Sequence, residues 1–198
     1  MNRSCFASSL LVLACASLPF AQAQATSSPC TSAPVGDHGK SVNGKPLASP
    51  EANAETRLNG RMITIHYNAP SVRCRTIVGG VVPFGEVWRT GANPATSFTT
   101  EADLMIGDLR VPAGKYTLYT LPAAPGTPWM FIVNKETGQW GTVYHQAQDL
   151  GRMPMHAAKL TSPQEVMSLS FEKTMANTTQ LHVKWELTDE WVDIKAAH

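Results

Sequence analysis

Apolar and polar residues alternate with a period of two through most of the chain beyond position 60. Ile63, Ile65 and Tyr67 alternate with Thr64 and His66. Met167, Leu169 and Phe171 alternate with Ser168, Ser170 and Glu172. Leu181, Val183, Trp185 and Leu187 alternate with His182, Lys184 and Glu186, and Val192 and Ile194 with Asp193 and Lys195. Each run predicts a strand with one buried and one wet face. Trp129-Met130-Phe131-Ile132-Val133 is apolar throughout and predicts a central strand covered on both faces. Turn signals separate the runs. Ile106-Gly107-Asp108-Leu109 carries the Gly-Asp pair of a tight hairpin. Pro112-Ala113-Gly114 turns into a strand over 116–121, and 134–138 and 174–178 read as further turns. Helical candidates are confined to single turns, one near Phe84-Gly85-Glu86 and one starting at Ser162-Pro163-Gln164-Glu165. The expected fold is all-β: an antiparallel β-sandwich of short strands with at most one or two short helical turns. Uneven strand lengths and the lack of a repeat favour a sandwich over a barrel.

Composition divides the rest of the chain. Residues 1–23 have the three regions of a secretory signal peptide: Arg3, an apolar stretch over 6–16, and Ala21-Gln22-Ala23 at the cleavage position. The apolar stretch is too short to span a membrane, so no transmembrane segment is expected after cleavage. Val12-Leu13-Ala14-Cys15 loosely fits a lipoprotein box and offers an alternative, anchorage through Cys15. Either route places the protein outside the cytoplasm, in the periplasm or the medium. Residues 24–55 are rich in Ser, Thr, Ala, Pro, Gly and Asn and lack aromatics, which predicts a flexible leader. The domain is expected over 56–198. The full chain has 16 basic and 15 acidic residues, and loss of Arg3 leaves 15 of each. A neutral chain offers no overall electrostatic handle for nucleic acid. Cys30 and Cys74 survive cleavage and make a candidate disulfide in an oxidising compartment; the alternative is two free thiols.

The known catalytic signatures are missing: there is no His-Glu-x-x-His, Gly-x-Ser-x-Gly, Cys-x-x-Cys or Gly-x-Gly-x-x-Gly. No metal site and no cofactor are expected. Gly39-Lys40-Ser41 mimics the end of a phosphate loop but lacks the strand before it. His66 and His182 fall on polar faces of separate strands and read as solvated; the alternative is that they meet across a sheet. His145 and His156 flank a loop with Asp149 and Arg152, which leaves a His-Asp pair open. The densest chemistry is in Trp88-Arg89-Thr90-Gly91-Ala92-Asn93. Arg89 suits a carboxylate or phosphate, Asn93 a hydroxyl or amide, and Trp88 and Trp140 offer stacking faces. Arg73 and Arg75, two residues apart, read as neighbours on one strand face that line an anion pocket with Arg89 or form surface ion pairs. The competing reading makes the run a fold lock, with Trp88 in the core, Arg89 paired with Glu86 or Glu101, and Asn93 capping a turn before Pro94.

Tyr67-Asn68-Ala69-Pro70-Ser71, the run from Val82 to Asn93, Val111-Pro112-Ala113-Gly114-Lys115-Tyr116 and Gly138-Gln139-Trp140-Gly141 together resemble a bacterial secreted family, Domain of Unknown Function 2911. The resemblance spans about 61–194 and implies secretion and a β-rich fold, with no activity attached. Cys74 departs from it, since Gly is more usual between the two basic residues; this puts a shared backbone geometry in doubt and favours a disulfide particular to this chain. Three functions follow from the residues. The first is a noncatalytic module that binds a small polar or anionic ligand, such as a glycan, through Trp88, Arg89, Thr90, Asn93, Trp140, Arg73 and Arg75. The second is a hydrolase with a His base near the Trp88 loop, and the third a structural envelope protein.

Overall fold

A computed structural model describes residues 48–197. The signal segment, Cys15, Cys30 and the leader as far as residue 47 lie outside the described residues. The alternating runs form two antiparallel sheets, and the fold is all-β. The first sheet has β1 (Glu51–Leu58), β2 (Arg61–Asn68), β3 (Thr96–Thr100), β6 (Gly114–Leu121), β7 (Met130–Asn134) and β8 (Asp149–Pro154), side by side in that order. The second has the order β5 (Leu109–Val111), β4 (Leu104–Ile106), β10 (Thr178–Ala196) and β9 (His156–Glu172). Ile63, Ile65, Phe98, Leu118, Phe131 and Val133 of the first sheet and Leu104, Ile106, Leu181, Val183, Val192 and Ile194 of the second make one core. Each such side chain contributes about 1.5–3 kcal/mol on leaving water.

Several expectations hold in detail. Ile106 pairs with Leu109 across the two-residue Gly107-Asp108 loop. On β7, Phe131 and Val133 enter the core, while Ile132 and Asn134 are equally buried on the opposite face. A covering segment over 135–148, with a 3-10 turn at Gln146–Gln148, supplies that second layer. It follows that β7 is doubly covered even though it lies beside β8, the edge strand.

Other segments differ. β1 begins at Glu51, five residues before the expected domain start; Ala54 faces the core and Glu51, Asn53 and Glu55 face water. Alanine is a weak strand former, so this alternation is faint in the sequence. The helical turn expected at Ser162-Pro163-Gln164-Glu165 is part of the 17-residue β9. There the chain after β2 pairs with β9, through Ser71 opposite Val166, and the β9 edge supplies the hydrogen bonds that hold it extended. Arg73 and Arg75 do not share a strand face. They flank a turn with φ of 47° at Arg73 and 59° at Cys74. That left-handed conformation is the one glycine adopts at least cost, so a Gly between the basic residues would fit the same backbone. Cys74 is disulfide-bonded.

β10 changes phase midway. Leu181, Val183 and Trp185 are its buried odd positions, and Val192, Ile194 and Ala196 its buried even ones. Two register shifts against β9, either side of Glu186 with φ 53°, account for the change. Such bulges add residues to one strand and redirect the side chains that follow. After the bulge, Thr188 and Glu190 belong to the series that continues into the core.

Candidate functional site

The Trp88 loop lies in the long connection over 69–95 between β2 and β3. Trp88 exchanges backbone hydrogen bonds with Thr120 of β6, at 2.7 and 2.9 Å. Its ring stacks on Trp185 of the opposite sheet, with centroids 5.9 Å apart and planes 17° apart. Trp88 therefore clamps the two sheets, with one ring face spent on Trp185. Thr90 is fully buried with φ 52°, and its hydroxyl donates to the Thr120 hydroxyl at 3.3 Å. Thr96 Oγ1 donates back to the Thr90 carbonyl at 2.8 Å. A Cβ on Gly91 would sit 3.0 Å from Thr96 Oγ1 and 3.1 Å from the Asn68 carbonyl, so the corner closes tightly only around glycine. Trp88 and Thr90 thus serve the fold.

Arg89 behaves differently. Its stem runs against the backbone of Gly141, where a Cβ would lie 1.9 Å from Arg89 Cδ and 2.5 Å from the Asn93 carbonyl. Arg89 Nε is buried and has no hydrogen-bond partner. Burial pushes the guanidinium below its ordinary range. Neither acid expected to lock it does so: Glu101 accepts the Met62 amide at 2.8 Å, and no ion pair joins Glu86 to Arg89. Among the described residues, no side chain neutralises this charge.

Two further candidates meet Arg89. The Asn93 carbonyl accepts the Gly141 amide at 3.2 Å, and Asn93 has φ 59°. Its carboxamide reaches only the Ser49 carbonyl, at 3.5 Å, which is at the limit of a hydrogen bond. Trp140, next to Gly141, pairs with Pro94 and is 57% exposed. Arg89, Asn93 and Trp140 are therefore neighbours around Gly141: an unpaired cation, a loosely held amide and an exposed indole.

Arg73 and Arg75 stand apart. Arg73 donates to the Ala48 carbonyl at 2.6 Å, and its amide donates to Glu165 Oε1 at 3.0 Å. Arg75 donates to the carbonyls of Val72 and Ser71, at 3.1 and 2.7 Å. Arg75 braces its own turn, and Arg73 ties that turn to Ala48 and β9.

The histidines are also redistributed. His66 bonds Asn53 at 2.5 Å and makes no hydrogen bond with Ser97 beside it on β3. His182 belongs to the other sheet, so the two cannot meet across one. It is buried, not solvated, between Asp189 at 2.7 Å and the Trp191 ring at 5.3 Å. His145 pairs with Glu136 at 2.7 Å. Asp149 instead accepts from Arg152, Tyr144 and Asn134, at 2.8, 2.6 and 2.9 Å. Burial and this carboxylate push the Tyr144 hydroxyl up to about 12. The network ties the covering segment to β7 and β8. Among the described residues no group of three or more His, Cys, Asp or Glu is placed to hold a metal ion.

Strand register exposes a row that the sequence order hides. Asn53, His66, Ser97, Thr117, Asn134 and Asp149 face one another in succession across all six strands of the first sheet. Its β1–β3 end is open and its β6–β8 end lies under the covering segment. Sequence reasoning also passed over Glu190, whose only early signal was an acidic pair between two tryptophans in an apolar strand.

A family model described as Protein of unknown function (DUF2911) matches residues 49–194. No curated protein and no solved structure matches the chain.

Proposed function

The chain belongs to the DUF2911 family, and from that premise we propose that the domain is an exported, noncatalytic module that binds a small oxyanion-bearing ligand at Arg89. The observation that carries this reading is the half-buried Arg89 guanidinium with no acidic partner among the described residues. A guanidinium is held there at a desolvation cost that a carboxylate, sulfate or phosphate offsets by charge-assisted hydrogen bonding. Asn93 adds a donor and an acceptor for a neighbouring hydroxyl. Trp140 presents a ring face on which a sugar or planar group packs. An acidic sugar combines all three chemistries.

The hydrolase reading loses support, because His145 and His66 are held by Glu136 and Asn53 without an adjacent nucleophile bonded to either. The structural reading accounts for Trp88 and Thr90, but it leaves Arg89 unpaired and Trp140 exposed. Export rests on residues 1–23, and mass spectrometry of the mature N-terminus distinguishes cleavage after Ala23 from acylation at Cys15. Calorimetric titration of the protein with glucuronate, glucose and sulfate at low salt tests binding. Glucuronate is expected to bind more tightly than either of the others. Arg89→Met is expected to weaken it at least tenfold, about 1.4 kcal/mol. Equal binding by wild type and Arg89→Met, with the variant folded, would remove the Arg89 site.

A further inference from the structure

A second unpaired charge lies at the other side of the loop. A cleft of about 360 Å³ opens between the 123–128 segment and the start of β9. Its walls are Val78, Phe84, Pro125, Trp129 and Met155, and Ala157 and Thr188 lie beside its one titratable residue, Glu190. Glu190 is 5% exposed, and its Oε2 is buried without a hydrogen-bond partner. The register shifts against β9 and the left-handed Glu186 put it there, in the core-facing series between Thr188 and Val192. Phe84, 42% exposed, stands at the rim, and Trp129 forms a wall. Trp129, Val78 and Thr188 also border a smaller cavity against Trp88 and Trp185, so Trp88 supports the cleft from behind.

An isolated acid among apolar and aromatic side chains, with no basic residue lining the cleft, defines the missing partner by its chemistry. We propose that this cleft binds a small organic cation, an ammonium group on an apolar or aromatic body, with Glu190 as its counter-ion. The ammonium neutralises the carboxylate from the cleft that Glu190 lines. The body packs on Met155 and Val78, and Trp129 and Phe84 present the ring faces that attract cations. A ligand of this kind is independent of the Arg89 patch, which selects the opposite charge with different residues.

The groups around Glu190 set its pH dependence. On β10, the Asp189 carboxylate is adjacent, though His182 and Lys184 engage it at 2.7 and 3.8 Å. On β9, Ala157 is its register partner; His156 stacks on Trp191 and pairs with Asp193 at 3.2 Å. The 77–84 and 123–129 segments bring no titratable group into the cleft. Burial, and secondarily Asp189, push the Glu190 carboxyl up to about 7. The ionised, binding-competent fraction therefore rises roughly thirtyfold between pH 5.5 and pH 8.

The test is a calorimetric titration with benzylammonium chloride, with benzyl alcohol as the neutral probe of the same shape. One-to-one benzylammonium binding is expected at pH 8, and to weaken at least tenfold at pH 5.5 in the wild-type protein. Benzyl alcohol is expected to bind weakly and equally at both pH values. Glu190→Gln is expected to abolish the pH dependence and weaken the cation at least tenfold. Ala157→Phe, which fills the cleft from an exposed strand position, is expected to block binding while the acid stays in place. Failure of benzylammonium to bind at pH 8, equal binding at both pH values, or equal affinity for the neutral probe would each overturn the proposal, with or without a folded Glu190 variant.

Discussion

Arg89 and Glu190 are the two ionisable side chains with a buried polar atom left without a hydrogen-bond partner among the described residues, and they teach opposite lessons about burying an ion. Arg89 is only half-buried: its stem passes under Gly141, and its Nε is the buried part of the guanidinium. Its charge is permanent, because burial lowers the guanidinium from a starting point far above neutral pH. Glu190 has no long stem and is buried outright. It relieves the cost by taking up a proton, and its carboxyl is held at about 7. The Arg89 patch is therefore charged at every physiological pH, whereas the Glu190 cleft switches near neutrality. The same loop serves both: Arg89 and Asn93 belong to one site, and Phe84 lines the other, with Trp88 behind it.

The comparison breaks most severely at Gly141. Gly141→Ala places a methyl on Arg89 Cδ and the Asn93 carbonyl. It is expected to cost about 1–3 kcal/mol by urea unfolding, the usual range for overpacking, and to eject Arg89 from its slot. Glucuronate binding should fall with it, while benzylammonium binding is expected to stay.

Glu190→Gln sharpens the contrast through pH. Below pH 4.5 the carboxyl is protonated in both folded and unfolded chains and its burial costs no ionisation energy. Between 4.5 and about 7 the unfolded chain releases the proton first, so wild-type stability falls as pH rises. Above 7 the penalty is complete. Allowing for solvent at the cleft mouth, Glu190→Gln is expected to stabilise the protein by roughly 2 kcal/mol at pH 8 and by little at pH 4, measured as chemical unfolding midpoints at both pH values.

Arg89→Met is the matched control. It keeps the apolar stem and removes the charge, and its stability change is expected to stay within about 1 kcal/mol and to be the same at pH 5 and pH 8. Trp140→Ala has the smallest expected effect on folding, within about 0.5 kcal/mol for an exposed side chain. It should still weaken glucuronate severalfold by removing the ring face.

The two sites were unequally legible in the sequence. Arg89, Asn93 and Trp140 stand out as chemistry-bearing residues in short loops, and the structure brings those three together through Gly141. Legibility stopped at the roles inside the run. Nothing local says that Trp88 turns inward onto Trp185, because that contact joins residues far apart in the chain. Arg73 and Arg75 looked like strand neighbours by spacing, but two left-handed residues make a turn there. Glu190 was hidden for a related reason. Period-two reading follows one face only while the register holds, and the bulge at Glu186 moves the buried series from odd to even positions. His182 was misread in the same strand, since Asp189 and Trp191 cover it from beyond the bulge. Strands of unbroken alternation, such as β2, were read correctly because each residue's face depends only on its immediate neighbours.

The central claim is that Arg89 carries a permanent charge with no partner among the described residues. The most direct measurement is the ¹H–¹⁵N signal of the Arg89 Nε–H group during titration with glucuronate at pH 6 and pH 8. The account predicts a resolved peak, assigned by its loss in Arg89→Met, that shifts saturably with ligand and to the same extent at both pH values. A peak that does not move with ligand, or one whose response follows the pH titration of a nearby acid, would contradict it.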